Sequence, residues 1–263
     1  MTRFIAEIGS NHNGSLERAL QLVSVAKSCG FDAVKVQVFD TDKMFRLGTI
    51  TTAKHFPCPL EWIRNLHDLA QSLGMDFGAT LFDVGTTKSG LIRHYMDFVK
   101  CSSYDVLRHD LIRALVATKK PLILSTGMAT LDEVKAAATF IPAGATLMHT
   151  VSIYPCPPWK ANLSRIARIR SMWTGPVGYS DHTVDADIVT RAVLTWGAVV
   201  VELHLDLEDC QGVETAHSAK PYEANIIIKD CSVDGDGTDH PTEEEQAERH
   251  WRCSPYDGMR PVK

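Results

Sequence analysis

Short runs rich in Val, Ile and Leu alternate along this chain with amphipathic stretches of helical length, and the alternation repeats eight times. The runs are FIAEIG (4–9), AVKVQV (33–38), DFGATL (76–81), FVKCS (98–102), PLILST (121–126), ATLMHT (145–150), PVGYS (176–180) and VVVELHL (199–205). Most are apolar at successive positions, the pattern of a strand covered on both faces. Between them, 184–196 puts Ile188, Val189, Ala192, Val193 and Trp196 on one helical face. Thr130 and Glu133 have the spacing of a capping box opening the helix after the fifth strand. Lys119 and Lys120 close the helix before it, where cations suit the negative end. PYEANIIIKD supplies the eighth and weakest helix. Eight strand–helix units close a parallel sheet, so the expected fold is an α/β, (β/α)8 TIM barrel over residues 1–232. An open doubly wound sheet would carry a glycine fingerprint after its first strand, and GSNHNG does not match one.

Composition narrows the function class. The 263 residues suit one barrel, and 44% hydrophobic content supplies its core. A net charge of −5 gives no electrostatic case for nucleic acid. No apolar run approaches membrane-spanning length, and MTRFIAEIGSNHNG does not read as a signal peptide. The seven Cys are scattered without a C-x-x-C pair, as expected of reduced thiols in a cytoplasmic protein.

Polar residues at the carboxyl ends of barrel strands converge on one mouth, where such folds carry chemistry. Here they are Glu7 with Asn11 to Asn13, Lys35 and Gln37, Thr80, Lys100 and Ser103, Ser125, His149 with Ser152 and Tyr154, Ser180 to His182, and Glu202 with His204. Singly, each has an ordinary explanation as a helix cap or a solvated charge. Lys35 and Lys100 interrupt apolar runs, where an unpaired ammonium is costly. Either they await an anionic ligand with the neighbouring hydroxyls, or each pairs with an internal carboxylate such as Glu7. His182 and His204 end consecutive strands, so two imidazoles with water or a carboxylate suit a divalent metal with open positions. A closed structural zinc site is not expected there.

The blocks IAEIGSNHNG, AVKVQVF, ILSTGMATLDEV, IYPCPP, GYSDHT and VVVELHL resemble the sialic acid synthases, including N-acetylneuraminate, legionaminic and pseudaminic acid synthases. The resemblance runs in order through residues 4–221. It implies condensation of phosphoenolpyruvate with an amino-sugar aldehyde of the N-acetylmannosamine type, giving a nonulosonic acid and phosphate. It also implies that Lys35, Thr80, Lys100, Ser103, Ser125, Ser152 and Ser180 hold phosphoenolpyruvate, and that Gln37 and Tyr154 face the sugar. His182 and His204 would ligate a divalent metal, Mn2+ first, with Mg2+ or Co2+ as alternatives. Glu7 and Glu214 would be the catalytic carboxylates, Glu7 either stabilising positive charge at C2 of the donor or positioning the attacking water. Small-molecule partners, no membrane, and a homodimer complete the implied picture.

Three departures bear on the acceptor. Ser152 stands where the family usually has Asn, and Gly212-Val213-Glu214 replaces its usual G-P-D element. The bacterial relatives also carry a C-terminal antifreeze-like domain that supplies an arginine to the partner's sugar site. Here the Gly-, acid- and Pro-rich segment 233–263 follows instead, with Arg252 or Arg260 as substitutes. Two alternatives therefore stand beside the main reading: a related deoxy-sugar-phosphate synthase, and a catalytically degenerate sugar-binding paralogue. Trp251, Tyr256 and Met259 argue for a tail that docks on the barrel or on a partner subunit. Deleting residues 249–263 is expected to lower acceptor affinity or weaken a dimer, read by steady-state kinetics and sedimentation; unchanged kinetics, oligomer and melting would mark the tail as dispensable.

Overall fold

In the computed structural model, which describes residues 2–41 and 56–232, all eight expected strands form. They are β1 (Arg3–Gly9), β2 (Ala33–Val38), β3 (Asp76–Leu81), β4 (Phe98–Cys101), β5 (Leu122–Ser125), β6 (Thr146–Thr150), β7 (Val177–Asp181) and β8 (Val200–His204). Each pairs in parallel with its sequence neighbour, and β1 pairs with β8 to close the barrel. The described residues fall within a unit that ends at Ser232. The tail, with Arg252 and Arg260, lies outside the described residues.

Among the described residues, eight helices of six residues or more make the returns: α1 (Leu16–Cys29), α2 (Ile63–Ser72), α3 (Gly90–Tyr95), α4 (His109–Val116), α5 (Leu131–Ala138), α6 (Ser164–Arg170), α7 (Ala186–Leu194) and α8 (Pro221–Asp230), with a single extra turn at Val84–Thr87 before α3. Their ends follow local chemistry. Ser15 caps α1, and Gly30 at φ 97° ends it in the left-handed conformation that favours glycine. Thr130 and Glu133 form both halves of their capping box, at 3.2 and 2.7 Å. Asp185 caps α7 so that it starts at Ala186, and Ile188, Val189, Ala192 and Val193 are buried as their spacing requires. Lys119 and Lys120 lie beyond α4, which ends at Val116; Lys119 sits at φ 60° in the turn. Among the described residues, no helix is long and apolar enough to cross a membrane.

The two-residue period of a strand sorts the barrel interior into layers. The lowest is apolar: Ile5, Ala33, Phe98, Ile123 and Met148 cluster together, with Val200 against them. Gly78 belongs to this layer, since a Cβ there would strike the Phe98 ring. Its missing side chain lets that ring fill the axis. Two residues further along each strand the layer turns polar, with Glu7, Lys35, Thr80, Lys100, Ser125, Thr150, Ser180 and Glu202 all buried. The alternate residues, among them Phe4, Ala6, Ile8, Val34, Val36, Leu124, Leu147 and Val201, face the helices and join the large outer core. His149 belongs to that outward set; its Nε2 bonds Ala161 O at 2.8 Å and takes no place in the mouth.

Gly78→Ala is expected to destabilise the barrel by about 1–3 kcal/mol through overpacking, and Gly78→Ala with Phe98→Leu to recover part of the loss. Urea unfolding measures both, and an unchanged midpoint in the single variant would remove Phe98 as the axial plug.

Candidate active site

Four buried charges occupy the polar layer. Lys35 forms an ion pair with Glu7 and donates to Thr80 Oγ1 at 2.6 Å. Lys100 Nζ reaches Glu202 Oε1 at 2.5 Å, and Ser180 Oγ donates to the same oxygen at 3.1 Å. Glu202 Oε2 stands 3.7 Å from Lys35 Nζ, joining the two pairs into one quartet. Strand register explains the meeting, since Glu7 pairs with Lys35, Thr80 with Lys100, and Ser180 with Glu202. Burial pushes the Glu202 carboxyl up, but Lys100 and Lys35 together outweigh it and hold it well below its usual range. Burial pulls the Lys35 ammonium down to about 7, with Glu202 opposing. Both lysines thus have carboxylate partners within the protein, and both share their layer with the buried hydroxyls of Thr80, Ser125 and Ser180.

Beside the quartet, Ser103, Ser125 and Ser152 surround Gly127. Ser103 Oγ accepts from Gly127 N at 3.1 Å. A Cβ on Gly127 would run into Ser152 Oγ and Ser103 Oγ, so glycine is what lets the hydroxyls close on this backbone. Ser125 Oγ is buried with no hydrogen-bond partner among the described residues, while Ser152 Oγ lies within reach of the Tyr154 hydroxyl. A buried, unpartnered hydroxyl in the same layer as two ammonium groups is the start of an oxyanion cradle.

The histidines stand one layer higher. The rings of His182 and His204 lie 5.3 Å apart, centroid to centroid. His182 Nδ1 bonds Val151 O at 2.8 Å and His204 Nδ1 bonds Glu214 Oε2 at 2.9 Å. With those nitrogens protonated and donating, each Nε2 is left as a metal donor. Burial, reinforced by His204, lowers the His182 pKa to about 3, so its ring is neutral across the physiological range. The donor chemistry therefore fits a divalent cation. Tyr154 packs its ring on His182 at 4.2 Å while remaining 43% exposed at the rim. Gln37 occupies the corresponding higher position on β2, in register with Thr80.

The loop after β8 carries Glu214 into this group. Asn11 Oδ1 accepts from Glu214 N at 2.8 Å, while Asn11 Nδ2 donates to Leu205 O and Ser218 Oγ, each at 2.9 Å. Gly9 N donates to Glu7 Oε1 at 2.7 Å and Ser10 N to Glu214 Oε1 at 3.1 Å, so successive amides hold the two carboxylates. Gly9 sits at φ 53°, and a Cβ there would collide with the Glu214 carboxylate. Burial pushes the Glu214 carboxyl up, but the hydrogen bond and charge of His204, together with His217 and the Ser10 amide, outweigh it and hold the carboxyl down at about 2. The structure thus brings together Glu7, Lys35, Thr80, Lys100, Ser180, His182, His204, Glu214 and Tyr154, with Ser103, Ser125 and Ser152 beside them and Gln37 above.

Sequence reasoning passed over His217. Its ring lies 4.7 Å from His204, 6.1 Å from His182 and 5.0 Å from Tyr154. The donor atoms of His204, Glu214 and His217 all fall within 4.8 Å of one another. The Glu-x-x-His spacing of Glu214 and His217 is the signal that was available.

A model of the NeuB family matches residues 22–233. The chain belongs to the NeuB family. It is 31% identical to the N,N'-diacetyllegionaminic acid synthase of Legionella pneumophila over 276 residues, spanning 93% of this chain and 77% of that protein. Over 241 residues it is 33% identical to the protein MJ1065 of Methanocaldococcus jannaschii, covering 88% of this chain and 70% of the relative. The crystal structure of the N-acetylneuraminic acid (sialic acid) synthetase of Leptospira borgpetersenii, in complex with citrate, superposes with a TM-score of 0.80 at 27% identity, over 94% of this chain and 90% of that one. The family and barrel class implied by the sequence blocks both stand, and this NeuB-family chain is a condensing enzyme.

Because Lys100 neutralises Glu202, Lys100→Met is not the silent change that an anion-seeking lysine would allow. It strands a buried carboxylate and is expected to destabilise this NeuB-family barrel by about 3–5 kcal/mol. Lys100→Met with Glu202→Gln should recover most of that loss in chemical denaturation. Equal stability of wild type and the single variant would show that the pair does not form.

Proposed function

We propose that this chain joins C3 of phosphoenolpyruvate to the aldehyde carbon of an open-chain N-acetylhexosamine, N-acetylmannosamine or a close relative. The products are a nonulosonic, sialic-type acid and inorganic phosphate. The observation that carries the reading is the buried lysine–glutamate quartet, with the Ser125 hydroxyl in its layer, one strand period below two histidines whose Nδ1 atoms are engaged and whose Nε2 atoms are left as donors. Family membership and the likeness to synthases of legionaminic and sialic acids support it.

In this reading Lys35, Lys100, Thr80 and the serines 103, 125, 152 and 180 hold the phosphate and carboxylate of the donor, fixing the enol carbon in line for attack. His182 and His204 hold a divalent cation, Mn2+ in the first instance, with Mg2+ or Co2+ as alternatives. Bound there, the cation supplies Lewis acidity to the aldehyde oxygen. The new C–C bond forms as the enol attacks. Water then adds at C2, and cleavage of the C2–O bond of the tetrahedral adduct releases phosphate. Glu7 is placed to accept a proton from that water or to face positive charge at C2, with Lys35 beside it as a proton carrier near neutrality. Glu214 keeps the His204 ring oriented. Gln37 and Tyr154 face the sugar.

A net charge of −5, free cysteines and no membrane-spanning helix among the described residues support a cytoplasmic enzyme acting on small molecules. Tyr104, Leu107, Met128 and Trp159, exposed on loops after β4, β5 and β6, support a homodimer.

The test is phosphate release from phosphoenolpyruvate with Mn2+ across a panel of N-acetylhexosamines and their deoxy relatives. Release is expected with at least one mannosamine-type aldehyde, and its loss in His182→Ala and in His204→Ala with the fold intact. Full activity of the double variant after exhaustive chelation would end the metal assignment. Absence of release with every aldehyde would end the synthase reading.

A further inference from the structure

Glu214 and His217 flank a single 3-10 turn, Thr215–His217, with His217 N bonded to Glu214 O at 3.1 Å. Side chains three apart on such a turn eclipse one another, so the backbone places both on the face toward His204. The turn is braced: Ser218 Oγ donates to Glu214 O at 2.8 Å, and Asn11 grips both Glu214 N and Ser218 Oγ. His217 is therefore presented to the histidine pair by a held loop.

Each Glu214 oxygen accepts one hydrogen bond. Oε1 takes Ser10 N and Oε2 takes the His204 ring, so the carboxylate acts by orienting that imidazole. His217 is the opposite case, since its side chain makes no hydrogen bond to the described residues. At ordinary metal–nitrogen lengths, imidazoles that share one ion stand roughly 4.5 to 6.5 Å apart by ring centroid. The three separations here, 4.7, 5.3 and 6.1 Å, all lie in that interval. At the level of donor atoms His217 stands within 4.8 Å of His204 and Glu214, while His182 is farther from His217 than from His204 by ring distance.

We infer that His217 is a third imidazole donor to the cation held by His182 and His204, giving a three-histidine centre with Glu214 as the carboxylate behind His204. The inference rests on the metal site of the proposed function and extends it to a residue in the loop after β8. Three protein donors with open positions left over is the pattern of a catalytic metal site. A third nitrogen also favours a later first-row cation such as Co2+ or Zn2+ over Mg2+, which prefers oxygen.

The experiment uses the metal-stripped full chain without substrates, titrated with Mn2+ and followed by electron paramagnetic resonance. Wild type is expected to bind, and His217→Ala to weaken binding by about 100-fold with the melting temperature of the metal-free protein unchanged. The preference for Co2+ over Mg2+ should narrow in the same variant. Pulsed resonance on Mn2+-loaded wild type, which does not depend on a variant folding, should count three coupled imidazoles. Two coupled imidazoles, or unaltered affinity in His217→Ala while His204→Ala loses it, would overturn the role of His217 and leave the two-histidine site standing. No Mn2+ binding by wild type would overturn both.

Discussion

The mouth of this barrel is organised by the cost of burying four charges in a single layer. A carboxylate or ammonium taken from water into a packed interior loses several kcal/mol of hydration, which only close, well-bonded partners offset. Glu7, Lys35, Glu202 and Lys100 meet that requirement through the barrel closure itself, because they come from β1, β2, β8 and β4. Under them lies the apolar layer plugged by Phe98, and above them the histidines. Strand periodicity therefore yields a vertical order of hydrophobic floor, charged platform and metal-ready rim. Helices and outer core hold this order, and the chemistry occupies its top two levels.

That platform has an electrostatic consequence. Glu7, Glu202 and Glu214 face Lys35 and Lys100, so among these five groups negative charge leads by one. Phosphoenolpyruvate is itself strongly anionic. On the proposed function, a divalent cation at the histidines would reverse the local balance and so contribute to binding the anionic donor as well as to activating the acceptor.

Much of this was legible in the sequence, for a definite reason. Strands buried on both faces write themselves as apolar runs, and a polar residue that interrupts such a run has to face the interior. Lys35 and Lys100 were visible on that ground alone. Their partners were less so. Glu202 lies 102 residues from Lys100, and nothing local in FVKCS distinguishes a lysine awaiting a ligand from one already satisfied. His149 shows the converse difficulty: alternation on β6 turns it outward to Ala161, although its place near a strand end resembles that of the site residues. His217 was missed because a single 3-10 turn is too short to carry a period. Its placement comes from Asn11, about two hundred residues earlier in the chain.

The tight turn at Gly9 joins two halves of the site that are otherwise separate. Its consecutive amides grip Glu7 on β1 and Glu214 in the loop after β8, and the absent Cβ is what lets the second carboxylate approach. The loop after β8 is thus not a modular part. Exchanging it for that of a relative with another sugar preference would transplant one jaw of a clamp whose other jaw is residues 9–11. On the proposed function, a workable chimera would have to move both segments together, because the amides of one hold the carboxylate of the other.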